Sequence, residues 1–126
     1  MNTEQILLYA VIALVIFFIV RKFMQIKSVK HYSSKELNDR VKKDRSLVIL
    51  DVRTSQERNR DKIKGSFHVP LFEINSSNNE LKKFSGKEIV CYCQTGSRSL
   101  SAALKLKKIG FNASNLRGGM LRWNLK

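Results

Sequence analysis

The sequence predicts an α/β domain with a small, mainly parallel sheet, preceded by one membrane-spanning helix. Three observations carry this. Residues 6–20, "ILLYAVIALVIFFIV", are fifteen apolar residues without a charge, Gly or Pro. Two short branched runs, "SLVILDV" and "EIVCYC", have the character of strands buried on both faces. Between and after them come helically spaced segments, and strands alternating with helices make a parallel sheet covered on both sides.

The apolar run reaches about 19 residues when Phe23 and Met24 are counted and Arg21 and Lys22 snorkel to the headgroups, enough to cross a bilayer as a helix. A buried core helix would show a polar face, and a cleaved leader would carry positive charge before the run and small residues after it. This run has only Glu4 before it and "RKFMQIKSVK" after it. It reads as an uncleaved anchor. Arg21, Lys22, Lys27 and Lys30 follow the run and no basic residue precedes it. The cell membrane is therefore the expected location, single-pass, with the amino terminus outside and the remainder cytoplasmic.

Two regions result: 1–27, the transmembrane anchor with its basic flank, and 28–126, one domain of ordinary size. All 24 Lys and Arg and nine of the ten acids lie in residues 21–126, which carry +15. No acid follows Glu88. In a tethered domain an anionic leaflet is the simplest partner for this charge. Nucleic acid is not expected, since no recognition motif or interleaved aromatic patch accompanies it. Two cysteines, Cys91 and Cys93, are too few for a disulfide framework and suit a reducing compartment.

Along the domain, "SVKHY" reads as a short link from the membrane, and Ser33 with Glu36 as the cap of a helix, "SKELNDRVKK". "SLVILDV" is a strand ending at Asp51, and Ser55 is the expected cap of "SQERNRD". "GSFHVP" is an edge strand because Pro70 cannot donate to a central ladder. "LFEI" and "NNELKKF" read as two short helices. After the strand "EIVCYC", Ala102, Ala103, Leu106 and Ile109 mark a helix with Gly110 at its end, followed by a last strand in "ASNLRGG".

The stretch "CQTGSRS" joins the second buried strand to that helix. A short loop there can turn backbone N–H groups inward as an anion nest at a helix N-terminus. Gly96 permits the turn, Gln94, Thr95, Ser97 and Ser99 are small or unbranched and can hydrogen-bond locally, and Arg98 adds permanent charge. A cysteine sulfur in that nest should ionise readily and act as a nucleophile, forming a covalent intermediate. Cys91, on the same face two residues earlier, could serve as a second, resolving thiol but reads first as core packing, as does Trp123, while Gly118 and Gly119 read as a turn. His31 and His68 have no ligand spacing, so no metal is expected.

"CQTGSRS" resembles the active-site loop of rhodanese domains, the sulfurtransferases built around a cysteine, a near-central glycine and a terminal Arg or Thr. "VILDVRTSQE", giving Asp51, Arg53 and Glu57, "IKGSFHVPL" and "LRGGMLRW" are similar to further family segments, in the family's order across residues 32–125. The departures are Asp61-Lys62 for Gly-His, Lys64 for Pro and His68 for Asn. The resemblance implies a rhodanese-like three-layer fold and sulfur transfer through a Cys93 persulfide, without cofactor. The donor would be a small anionic sulfur compound such as thiosulfate or a persulfide. The acceptor would be cyanide or a thiol, small or on a thioredoxin-like protein. Amides of residues 94–98 would hold the persulfide, and Arg98 would attract the donor. Asp51, Arg53 and Glu57 would brace the sheet end, with Arg53 paired to Glu57 or Asp51. Cysteine-based phosphatases resemble Cys-x5-Arg, whereas Cys93 to Arg98 is Cys-x4-Arg, a tighter bowl suited to sulfur. The rival implication is a non-catalytic, membrane-tethered docking or regulatory module on the same fold.

Overall fold

A computed structural model describes residues 1–125. The apolar run lies in a 26-residue helix, α1 (Thr3–Ser28), capped by Asn2 and with no residue of its span buried against the rest of the chain. Its most apolar 18-residue window has a mean hydropathy of 2.5. One helix is thus long and apolar enough to cross a membrane, by length and composition.

The domain is built on β1 (Lys30–Tyr32), β2 (Val48–Asp51), β3 (Phe67–His68), β4 (Glu88–Tyr92) and β5 (Asn112–Leu116), in the order β1-β5-β4-β2-β3. Every pair is parallel. Side chains alternate between two cores. Leu50, Val52, Ile89, Cys91 and Cys93 face one core, with Leu81 and Phe84. This core also takes Ala102, Ala103 and Leu106 from α4 (Ser97–Lys108). Ile49, Val90 and Tyr92 face the other, covered by Leu37 of α2 (Ser34–Lys43) and Met120 of α5 (Gly119–Trp123). The short α3 (Ser55–Arg60) follows β2 and buries none of its residues. These are the three layers that the alternation of strands and helices implied.

Several local expectations change. The segment read as a link contains β1, whose three residues pair with Ser114, Asn115 and Leu116 of β5. Tyr32 is buried and its hydroxyl donates to Glu88 Oε2 at 2.8 Å. Only Val29, itself buried, separates α1 from the sheet. Thr54, not Ser55, caps α3: its Oγ1 accepts from the Glu57 amide at 3.2 Å, and Glu57 Oε1 accepts from the Thr54 amide at 3.3 Å. Ser33 caps α2 as expected. "LFEI" and "NNELKKF" form short 3-10 turns, Leu71–Glu73 and Asn79–Phe84.

Candidate active site

Strands β2 and β4 are neighbours, yet the chain leaves β2 toward β3 and leaves β4 toward β5, in opposite directions. The crevice at their carboxyl ends is a topological switch point, where open parallel sheets bind ligands. Asp51 ends β2, and Cys93 directly follows β4.

The sulfur of Cys93 sits inside a bowl of donors. The Gly96 amide reaches Sγ at 3.1 Å and the Ser99 amide at 3.3 Å, with the Ser99 hydroxyl also at 3.3 Å. The Thr95 amide adds a further favourable contact. Gly96 adopts φ +108°, a left-handed value that a side chain resists, and this turns the loop back over the sulfur. Ser99 lies in the first turn of α4, where amides lack intrahelical partners, so the sulfur acts as the missing cap acceptor. Burial alone would raise the thiol pKa. The Ser99 hydroxyl, when its proton turns to the sulfur, and the Ser99, Gly96 and Thr95 amides outweigh it and hold Cys93 below the ordinary thiol value. Cys91 has no such donors: burial, then the neighbouring Cys93, push its pKa well up, and it remains a core residue.

What holds the bowl open is α5. The Met120 amide donates to Cys93 O at 2.9 Å and the Leu121 amide to Gln94 O at 3.1 Å. Across a trans peptide the carbonyl and N–H point in opposite directions, so tying back the Gln94 carbonyl aims the Thr95 N–H at the sulfur. The approach leaves no room for a side chain at Gly119, whose added Cβ would lie 2.3 Å from Cys93 O. Read from sequence as a turn, this glycine is part of the cradle. Asn115 is the other member that sequence reasoning missed, and it engages Ser99, which was read only as a local hydrogen-bonding residue of the loop: Ser99 Oγ donates to Asn115 Oδ1 at 2.5 Å.

The charged residues separate into two groups. Arg53 is buried and donates through Nε and Nη2 to the two oxygens of Asp51, each at 3.0 Å, and through Nη1 to Asp61 Oδ1 at 3.2 Å. Arg58 adds a contact to Asp51 at 3.2 Å. Burial would raise the Asp51 pKa, but the hydrogen bonds from Arg53 keep it below its ordinary value. Glu57 is not Arg53's partner. It accepts both arms of Arg98, at 2.7 and 2.8 Å, a fork that lowers its pKa to about 2.

Arg98, expected to attract an anionic donor, is held by Glu57 in a two-pronged ion pair that braces α4 against α3. Gln94 lines a cleft of about 350 Å³ with Arg53, Glu57 and Asp61. Thr95 and Gly96 line another of about 250 Å³ with His31, Asn115 and Arg117. Ser97 is exposed at the start of α4. Among the described residues, no group of three or more His, Cys, Asp or Glu could hold a metal.

Fold and site define a class: a three-layer parallel α/β domain presenting a cysteine in an amide cradle at its switch point. The family description "Rhodanese-like domain" matches residues 33–126, and the chain belongs to that family. It is 38% identical over 100 residues to the putative sulfur carrier protein YrkF of Bacillus subtilis, covering 79% of this chain and 53% of that protein. It is 30% identical over 95 residues to the putative sulfurtransferase YtwF of the same organism, covering 75% of this chain and 90% of that one. A rhodanese-like domain protein from Staphylococcus aureus superposes with a TM-score of 0.68 at 27% identity, over 75% of this chain and 91% of that one. The chain thus spans about half of YrkF and nearly all of YtwF.

Proposed function

We propose that the protein is a sulfurtransferase that carries a sulfane sulfur on Cys93. The observation that supports this reading is the Gly96 and Ser99 amides converging on a single sulfur at 3.1 and 3.3 Å. Dipoles aimed at a sulfur stabilise its anion without a neighbouring base. The Cys93 thiolate attacks the outer sulfur of a donor such as thiosulfate. A new S–S bond forms, the donor's S–S bond breaks, and sulfite leaves with the electron pair. The terminal sulfur of the persulfide then carries the negative charge, held by the same amides. An acceptor thiolate or cyanide attacks that sulfur, and Cys93 departs as thiolate, ready for the next cycle.

Arg98, held by Glu57, contributes rigidity to the loop more than free charge. The helix α1 anchors the domain at the cell membrane, amino terminus outside and active loop on the cytoplasmic side, by the flank charges Arg21, Lys22 and Lys27. The names of YrkF and YtwF support sulfur carriage or transfer as the activity.

Mass spectrometry of the purified full chain, treated with thiosulfate or a low-molecular-weight persulfide, tests the reading. One added sulfur on Cys93, lost on addition of cyanide or a thiol and absent in Cys93→Ser, is expected. A competing reading, a docking module without turnover, draws on Cys93 being only 1% exposed. No sulfur uptake by a folded wild-type chain would favour it, whereas transfer by Cys93→Ser equal to wild type would overturn Cys93 as the carrier.

A further inference from the structure

Behind the bowl runs a chain of hydrogen bonds that sulfur transfer leaves unused. It starts at the carbonyl of Ile26, in the last turn of α1, which lies 2.8 Å from His31 Nε2. Asn115 Nδ2 lies 3.2 Å from His31 Nδ1 and 3.4 Å from Gly96 O. Asn115 Oδ1 and Ser99 Oγ are 2.5 Å apart, and Ser99 Oγ is 3.3 Å from the Cys93 sulfur. Each direction follows from chemistry. A carbonyl only accepts, so Nε2 of His31 bears the proton. An amide nitrogen only donates, so Nδ1 of His31 accepts and the Asn115 carbonyl oxygen faces Ser99.

Ser99 then has one proton and two acceptors. Asn115 Oδ1 at 2.5 Å competes with the sulfur at 3.3 Å. When the proton points to Asn115, Ser99 turns a lone pair toward the sulfur, which suits an S–H donor and opposes a thiolate. Water cannot take over either role, since Ser99 is 0% exposed, Cys93 1% and Asn115 4%. Nor can Asn115 simply turn over, because its oxygen would then face both Gly96 O and the lone pair of His31 Nδ1.

We propose that His31 and Asn115 are positioning residues that draw the Ser99 hydroxyl proton away from Cys93, so that the sulfur is less readily ionised than the same bowl would make it with that proton turned inward. This rests on Cys93 being the sulfur-carrying nucleophile. It also makes the foot of the membrane helix the fixed end of the chain, through the Ile26 carbonyl. The other titratable or charged groups about the sulfur are Cys91 on β4, Arg98 with Glu57, and Arg53 with Asp51. Lys27, Lys30 and Arg117 flank His31 in sequence or in strand order. None of these changes in the variants below.

The test is the pH dependence of Cys93 alkylation by iodoacetamide in the full chain in detergent, scored on Cys93 by fragment ions. His31→Leu and Asn115→Leu release the Ser99 proton to the sulfur. Each should lower the alkylation midpoint by about half a pH unit or more, the scale of one redistributed hydrogen bond. His31→Asn, which can set an oxygen near the place of Nδ1, should remain near wild type. In a Ser99→Ala background, His31→Leu should have no further effect. Loosening of the cradle alone would move the midpoint up.

An unchanged or raised midpoint in folded His31→Leu would overturn the inference, as would an equal shift without Ser99. Because His31 is only partly buried, its variant serves even where Asn115→Leu does not fold. Alkylation needs no sulfur donor, so the two readings fail separately. Midpoints that move as stated without sulfur uptake sink the sulfur reading alone; flat midpoints with intact uptake sink this one alone.

Discussion

The loops that leave β2 and β4 start side by side, and each surrounds one anionic centre with donors, but by different means. After β2, the Asp51 carboxylate meets two fixed cations, Arg53 and Arg58, and Arg53 is further tied to Asp61. After β4, the Cys93 sulfur meets amides and one hydroxyl, with Arg98 bound elsewhere by Glu57. A buried ion pair locks one charge state, because either partner alone is a buried, uncompensated charge. A bowl of dipoles accepts a thiol, a thiolate or a persulfide with little reorganisation. The first loop holds the sheet end still; the second is free to do chemistry.

The strongest way to break that contrast is at Arg53. Arg53→Ala leaves Asp51 0% exposed beside one remaining cation, Arg58. A loss of roughly 3–5 kcal/mol is expected, read by urea unfolding in detergent. Cys93 alkylation should change little under conditions where the variant stays folded. A stability loss below about 1 kcal/mol would mean that the cluster is no lock.

Next comes Gly119. Gly119→Ala adds a Cβ 2.3 Å from Cys93 O at a residue with φ +54°. The clash is with backbone, which cannot swing aside, so the loop must shift and the Thr95 and Gly96 amides must lose their aim. Sulfur uptake should fall roughly 10–100-fold, the scale of an ångström of misplacement. The alkylation midpoint of Cys93 should rise. A variant with wild-type uptake would show that α5 does not shape the bowl.

These two residues also mark what was legible in the sequence. The strands, the helix after Cys93 and the loop itself rest on local spacing, which periodicity records. The resemblance left Arg53 paired to Glu57 or Asp51, and the fold gives it to Asp51, two residues away. The Glu57 partner was not legible, because Arg98 lies 41 residues away and only folding brings them together. The same holds for Ser99 with Asn115, and for Gly119 against Cys93, where the contact is with backbone and leaves no trace in residue type beyond a glycine. Strand β1 escaped notice for a different reason. Its three residues carry no pattern of their own and become a strand through pairing with β5, more than 80 positions on.

The smallest and most specific effect is at Glu57. Hydrogen bonds from Arg98 lower its pKa from 4.5 to about 2 against the opposing effect of burial. A carboxylate with a depressed folded-state pKa contributes stability above its unfolded value, and that contribution disappears as pH falls through the folded value. The stability difference between wild type and Glu57→Gln should therefore be constant above about pH 5.5 and shrink to nothing near pH 2 and below. Its plateau should be small, about 1 kcal/mol or less, because the Arg98 and Glu57 side chains are 38% and 27% exposed and solvent screens the pair. The variant also frees the Arg98 guanidinium beside the loop. If Arg98 acts only as a brace, the KM for thiosulfate stays level or rises as the loop loosens. If its charge were held in reserve for an anionic donor, the KM would fall. A pH-independent difference across that range would detach the fork from Glu57 ionisation, and with it the distinction between a loop fixed by charges and a sulfur held by dipoles.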